Sequence, residues 1–158
     1  MRLDVFVTPG EIAAPALAGR TVVVLDILRA TTSIVEALNA GARSVFPVGS
    51  IEEALRLANN FGRDEVLLAG ERRCLPIEGF DLGNSPREFT EDRVGGKTIV
   101  MTTTNGTAAM ALTVNADRVY IGALSNRSAV IDLLVQSEAD PVFLCSGCVR
   151  SHPCPEFS

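Results

Sequence analysis

The sequence predicts an α/β protein, a three-layer α/β/α arrangement about a mainly parallel sheet. Three observations carry that expectation. Continuous apolar runs such as TVVVL (21–25) and TIVMT (98–102) have the composition of strands covered on both faces. Segments of helical period follow them in alternation, the pattern of βαβ units. The chain has 158 residues, 47% apolar and 21% charged, with no Trp and one Tyr. That length fits one aliphatic-cored domain, able to bury about 70% of its unfolded surface.

The elements follow in order. LDVFV (3–7) reads as a short strand closed by the turn signal TPG. Residues 21–25 form the second strand. A helix is expected over 31–41, capped by Thr31 or Thr32, with Ile34, Val35, Leu38 and Ala42 as its apolar stripe and Gly41 as its stop. SVFPV (44–48) is a strand. SIEE (50–53) is a capping-box pattern and starts a helix that runs to about residue 60, before Gly62. EVLLA (65–69) is a strand. Periodicity then stops from residue 70 to 96, an irregular stretch long enough to suggest function. Strands at 98–102, 118–121 and 141–145 and helices at 105–112 and 125–136 complete the pattern.

Residues 21–32 and 98–107 each present a strand, a polar turn and a helix, and each is followed by another strand, at an offset of about 75. Internal βαβ duplication is one reading; two unrelated βαβ units are the other. Under duplication, the two polar strand ends are equivalent and face one cleft.

The chemistry concentrates at those ends. DILRATT (26–32) supplies Asp26, suited to a hard cation, and Arg29, suited to a phosphate or sulfonate. Thr31 and Thr32 add oxyanion donors or a helix cap. The second position of an Asp-x-Asp nucleophile pattern is Leu28, which favours Asp26 as a metal ligand over a nucleophile. TTTNGT (102–107) offers an anion cradle from Thr103, Thr104, Asn105, Gly106 and Thr107; its alternative is an ordinary capped turn. AGER (69–72) and GFDLGNSP (79–86) contribute Glu71, Arg72, Asp81 and Asn84. Asp26, Glu71 and Asp81 as oxygen ligands, with Arg29 and Arg72 as anion binders, have the composition of a Mg²⁺-assisted phosphoryl site. GGKT (95–98) precedes its strand and lacks the first glycine of a P-loop, so a nucleotide cradle is excluded.

Other classes fall away on composition. The net charge is −5 with a pI near 4.9 and scattered Arg residues, which disfavours nucleic acid. No apolar run reaches the roughly 20 residues of a membrane span, and no signal peptide is visible at the N-terminus, so a cytoplasmic location is expected. Cys145, Cys148, His152 and Cys154 have spacing that invites zinc, although Cys145 belongs to an apolar strand. Cys74 reads as inert.

Taken together, VVLDILRATT, LAGER, GFDLGNSP and TTTNGT, in this order, resemble the 2-phosphosulfolactate phosphatase (ComB-like) family across residues 1–147. The resemblance implies an α/β/α hydrolase dependent on Mg²⁺. Family members remove phosphate from phosphosulfolactate on the route to coenzyme M. It also implies that Asp26, Arg29, Glu71, Arg72, Asp81, Asn84 and residues 103–107 lie in or near the site. The expected roles are catalysis by Asp26, Arg29 and Glu71, metal binding by Asp26, Glu71 and Asp81, and substrate binding by Thr31, Thr32, Arg72, Asn84, Thr103, Thr104, Asn105, Gly106 and Thr107. The expected organisation is a phosphatase domain over 1–147 and a divergent tail over 148–158, which reads as a truncated or frameshifted end. A truncated relative that binds anions without catalysis is the alternative. Late strands missing from the sheet would leave an edge uncovered and favour a homo-oligomer.

Overall fold

The computed structural model describes residues 2–147. Eight strands and five α-helices alternate along the chain. They are β1 (Asp4–Phe6), β2 (Thr21–Leu25), α1 (Ala30–Asn39), β3 (Ser44–Pro47), α2 (Ile51–Ala58), β4 (Val66–Arg72) and β5 (Leu75–Pro76). After these come α3 (Glu91–Val94), β6 (Thr98–Thr102), α4 (Gly106–Ala111), β7 (Arg118–Gly122), α5 (Arg127–Gln136) and β8 (Val142–Cys145). Short 3₁₀ turns at Pro9–Glu11, Ala14–Leu17 and Pro86–Glu88 fill the connections.

The strands form two four-stranded sheets, ordered β1-β8-β2-β7 and β3-β6-β4-β5. All pairings are parallel except the β4–β5 hairpin. Each sheet centres on one buried strand, β2 or β6, and the flanking strands come from the other half of the chain. Thr21 pairs with Arg118 in the first sheet, and Ser44 pairs with Thr98 in the second. Advancing residues 21 and 44 by about 75 turns one pair into the other. The two halves thus exchange their outer strands about a common centre, the relation a duplication would produce.

One core cluster joins the inner faces of both sheets. It holds Val22 and Val24 of β2, Val142 and Leu144 of β8, Ile99 and Met101 of β6, and Ala69 of β4. Ala30, Ile34 and Ala37 of α1 and Ala109 and Met110 of α4 pack among them. The outer face of the first sheet, through Val23, packs on Val130 and Leu134 of α5. The outer face of the second, through Val100, packs on Ala54 of α2. Each sheet is therefore the middle of its own α/β/α sandwich, and the two sandwiches share their inner helices. Strand β6 is buried at all five positions, as a strand covered on both faces must be.

Helix α1 departs from the expected stripe. Its buried face is Ala30, Thr31, Ser33, Ile34 and Ala37, whereas Leu38 is 47% exposed. Small residues let the helix approach both sheets. Its end is a Schellman motif: Gly41 at φ +85° donates to the Leu38 carbonyl and Ala42 to the Ala37 carbonyl. Its start is not capped by Thr31 or Thr32. Arg29 holds the N-cap position and both threonines lie in the first turn. Helix α2 begins as expected, with Ser50 Oγ accepting from Glu53 N–H and Glu53 reaching back to the Gly49 N–H, both at 3.0 Å.

The stretch expected to be irregular holds more structure than its sequence suggests. β4 runs on through Gly70, Glu71 and Arg72 and turns back through Arg73 and Cys74 into β5. No helix among the described residues is long and apolar enough to cross a membrane. Of the cysteine–histidine set considered for zinc, Cys148, His152 and Cys154 lie outside the described residues. Burial pushes the Cys145 thiol pKa up, with a smaller contribution from Glu11, which keeps it protonated.

Candidate active site

The carboxyl ends of β2, β6, β4 and β8 converge, where open parallel sheets place their ligands. Asp26 follows β2, Thr103 follows β6, Glu71 lies near the end of β4, and Ser146 follows β8. Leu25 pairs with Cys145 and Gly70 with Thr102, so each sheet contributes two adjacent strand ends.

Contact between the inner helices closes the floor. A Cβ on Gly106 would collide with the Ala30 side chain and lie 2.6 Å from Asp26 Oδ2 and 3.2 Å from Thr103 Oγ1. Only glycine lets the start of α4 sit against the start of α1 with the Asp26 carboxylate between them. The two polar strand ends thus lie side by side.

Asp26 is 9% exposed. Its carboxylate receives the backbone N–H groups of Ala30 and Arg29 and the Ser146 hydroxyl. Burial nonetheless pushes its pKa above the ordinary carboxylate value, and the nearby negative charge of Glu71 adds to that push. Two buried carboxylates near one another form an electrostatic arrangement that a cation would relieve.

Glu71 is 8% exposed and already well used. Its Oε1 accepts from Thr104 N–H at 2.6 Å, and its Oε2 accepts from Cys74 N–H at 2.7 Å and from Thr104 Oγ1 at 3.0 Å. A carboxylate has about four lone-pair sites, so roughly one remains for a ligand. Glu71 therefore pins the loop after β6 to the β4–β5 turn. Glu71→Gln would set an amide NH₂ against the N–H of Thr104 or Cys74. We expect a loss of about 1–3 kcal/mol, read as a lower midpoint in urea unfolding.

Most of the threonine hydroxyls expected to cradle an anion are satisfied within their own turns. Thr31 Oγ1 accepts from Asp26 N–H, and Thr32 Oγ1 donates to the Ile27 carbonyl. Thr107 Oγ1 accepts from Thr103 N–H and donates to the Thr103 carbonyl. Thr104 Oγ1 donates to Glu71 and accepts from Arg73 N–H. Thr103 Oγ1 accepts from Thr107 N–H, which leaves its own hydrogen for another partner. By contrast, two buried amide oxygens, Asn84 Oδ1 and Asn105 Oδ1, have no hydrogen-bond partner among the described residues. Asn84 is held against α1 by the Ser33 hydroxyl, which donates to its carbonyl at 2.9 Å. Asn105 precedes Gly106 at the start of α4.

Two expected site residues are placed elsewhere. Asp81 is exposed, and its Oδ2 accepts from Leu68 N–H at 2.8 Å, in the middle of β4. No group of three or more His, Cys, Asp or Glu able to hold a metal occurs among the described residues, so Asp81 does not join Asp26 and Glu71. Arg72 lies on the opposite face of β4 from Glu71. It donates to Thr102 Oγ1 at 2.6 Å, to the Glu71 carbonyl at 2.9 Å and to the Gly49 carbonyl at 3.4 Å, beside α2. Arg72 ties β4 to β6 and to the β3–α2 loop from outside the cleft. Arg29 remains at the cleft, half-buried at the start of α1.

Ser146 carried no motif that marked it. Its signal is positional: it lies 75 residues after Glu71, the offset that relates the two halves. In one half the fold places a carboxylate at this strand end, and in the other a hydroxyl.

Comparison with known proteins gives the family. A family profile described as 2-phosphosulpholactate phosphatase matches residues 6–152. A probable 2-phosphosulfolactate phosphatase of Caldanaerobacter subterraneus subsp. tengcongensis is 48% identical over 147 residues, 93% of this chain and 61% of the relative. Proteins of the same name from Clostridium beijerinckii and Clostridium acetobutylicum are 42% and 44% identical, again over 93% of this chain and 62% of each relative. The chain spans about three-fifths of the length of these curated relatives. With residues 6–152 matched and this identity sustained across nearly all of its length, the chain belongs to the 2-phosphosulpholactate phosphatase family.

Proposed function

We propose that this chain hydrolyses the phosphate monoester of a small acidic substrate, 2-phosphosulfolactate, to sulfolactate and phosphate, and that it does so with Mg²⁺. The family and the names of its relatives support the reaction class. The observation that carries the site is the Asp26 carboxylate, buried at the junction of α1 and α4 with Glu71 nearby.

The residues present fit a hard cation. The available donors are oxygens: the Asp26 carboxylate, the remaining Glu71 lone pair and the partnerless Asn84 Oδ1 and Asn105 Oδ1. Such oxygen ligands, the two carboxylates first among them, would hold a hard cation such as Mg²⁺. When bound, it supplies charge neutralisation and Lewis acidity at the phosphoryl group. Asp26 would be its principal ligand, itself held by the Ala30 and Arg29 N–H groups and the Ser146 hydroxyl. Glu71 orients the loop that carries Thr104 and Asn105. The spare Thr103 Oγ–H and the Arg29 guanidinium bind phosphoryl oxygens. Positioning and charge stabilisation of this kind are the main protein contributions to phosphoryl transfer.

A substrate series tests the reading. With Mg²⁺ present, kcat/KM should fall by about tenfold or more from 2-phosphosulfolactate to a monoester lacking the second acidic group, such as phenyl phosphate. Equal values for the two would remove the acidic-substrate assignment.

A further inference from the structure

Of the two arginines expected to bind anions, only one faces the site described above. Arg29 stands beside Asp26, while Arg72 is committed to the far face of β4. A substrate with two acidic groups, brought into a cleft lined by two carboxylates, needs a second cation at the rim for the group that is not phosphate.

The β4–β5 turn supplies it. Arg73 and Cys74 form a two-residue hairpin between paired Arg72 and Leu75, and both have positive φ, +53° and +65°. Turns of this kind favour Asn and Gly, and neither residue here is one of those. The strained backbone aims consecutive N–H groups inward, Arg73 N–H to Thr104 Oγ1 at 3.0 Å and Cys74 N–H to Glu71 Oε2 at 2.7 Å. Arg73 is thereby fixed beside Thr104 and Glu71, one residue from the face-reversed Arg72. Its side chain is exposed and makes no hydrogen bond or ion pair among the described residues. An Arg in a left-handed conformation, beside Glu71 and Thr104 and with no side-chain partner among the described residues, has a position suited to a ligand.

We propose that Arg73 recognises the second acidic group of the substrate, the sulfonate or carboxylate, and so determines specificity in the reaction proposed above. A planar guanidinium suits either group by paired hydrogen bonds. Arg73→Gly separates this role from a structural one, because glycine relieves the positive φ while removing the guanidinium.

The expected result is a Tm equal to or above the parent's. The ratio of kcat/KM for 2-phosphosulfolactate over phenyl phosphate should fall by about tenfold or more, chiefly through KM. Arg73→Lys should restore part of that ratio. An unchanged ratio in Arg73→Gly would overturn the proposal. Failure of the phosphatase reading is distinguishable, since the parent protein would then release phosphate from neither substrate. In that case sulfolactate binding decides. A Tm rise with sulfolactate in the parent that is lost in Arg73→Gly supports Arg73 as the anion's partner. An equal rise in both, or none in the parent, overturns it.

Discussion

Asp26→Asn should lower Mg²⁺-dependent phosphate release by about 1,000-fold or more, since it removes the principal charged ligand of the proposed cation. The same substitution should make the protein more stable at neutral pH. In the folded state burial raises the Asp26 pKa above its ordinary 3.8, so the folded chain holds this proton where the unfolded chain has released it. Stability therefore falls as pH climbs from 3.8 through the raised folded pKa, and the full penalty is present above it. Asparagine keeps an oxygen for the Ala30 and Arg29 N–H groups without the charge. Urea unfolding across pH would show that fall in the parent and its absence in Asp26→Asn. A variant that is inactive because it is unfolded would fail this prediction, as would one less stable than the parent at pH 7. Function and stability are opposed at this residue, as expected where a carboxylate is buried for a ligand.

Gly70→Ala should cost about 2–6 kcal/mol, from positive-φ strain and overpacking together, a large part of the roughly 5–15 kcal/mol available to a domain. Gly70 has φ +141°, and a Cβ there would run into the Thr102 carbonyl oxygen and lie 2.8 Å from its carbon. Its N–H is shared between the Leu82 and Gly83 carbonyls, so the strand cannot shift without releasing the loop that carries Asn84. Separating β4 from β6 would also draw Glu71 away from Thr104. The expected outcome is loss of soluble folded protein, or a Tm lower by about 4–24 °C. Gly106→Ala should also destabilise, by about 1–3 kcal/mol or more, because the Ala30 Cβ it meets is fixed to its helix and α1 and α4 must move apart.

Much of the secondary structure was legible because it rests on local signals. Buried parallel strands such as β2 and β6 are continuous apolar runs, and Ser50, Gly41 and the intervening periodicity mark the helices they bound. The division into two sheets was not legible. It depends on each central strand pairing with the other half of the chain, as Thr21 does with Arg118 and Thr98 with Ser44, and no local pattern encodes so distant a partner. The stripe on α1 misled for a related reason. Leu38 fits a helix with one apolar face, but a helix shared between two sheets buries its alanines.

At the site, the residue types were legible and their directions were not. Asp26 and Glu71 were identified from composition at strand ends, and the fold brings them together. Arg72 and Arg73 are neighbours in sequence, yet the strand alternation sends Arg72 to the outer face. The turn that places Arg73 beside Thr104 and Glu71 lacks the Asn-Gly signature that would have announced a hairpin. The threonines suggested an anion cradle, whereas most of their hydroxyls close their own turns. Asp81 looked like a third acid and instead holds the Leu68 N–H. Ser146 became visible only through its relation to Glu71.

The most direct test of the central claim is phosphate release from 2-phosphosulfolactate by this chain, compared in Mg²⁺ and in chelator, for the parent and for Asp26→Asn. The expected result is release by the parent in Mg²⁺ alone, and essentially none from Asp26→Asn under either condition. Undiminished release in chelator, undiminished release by Asp26→Asn, or no release from a folded parent protein in Mg²⁺ would contradict it.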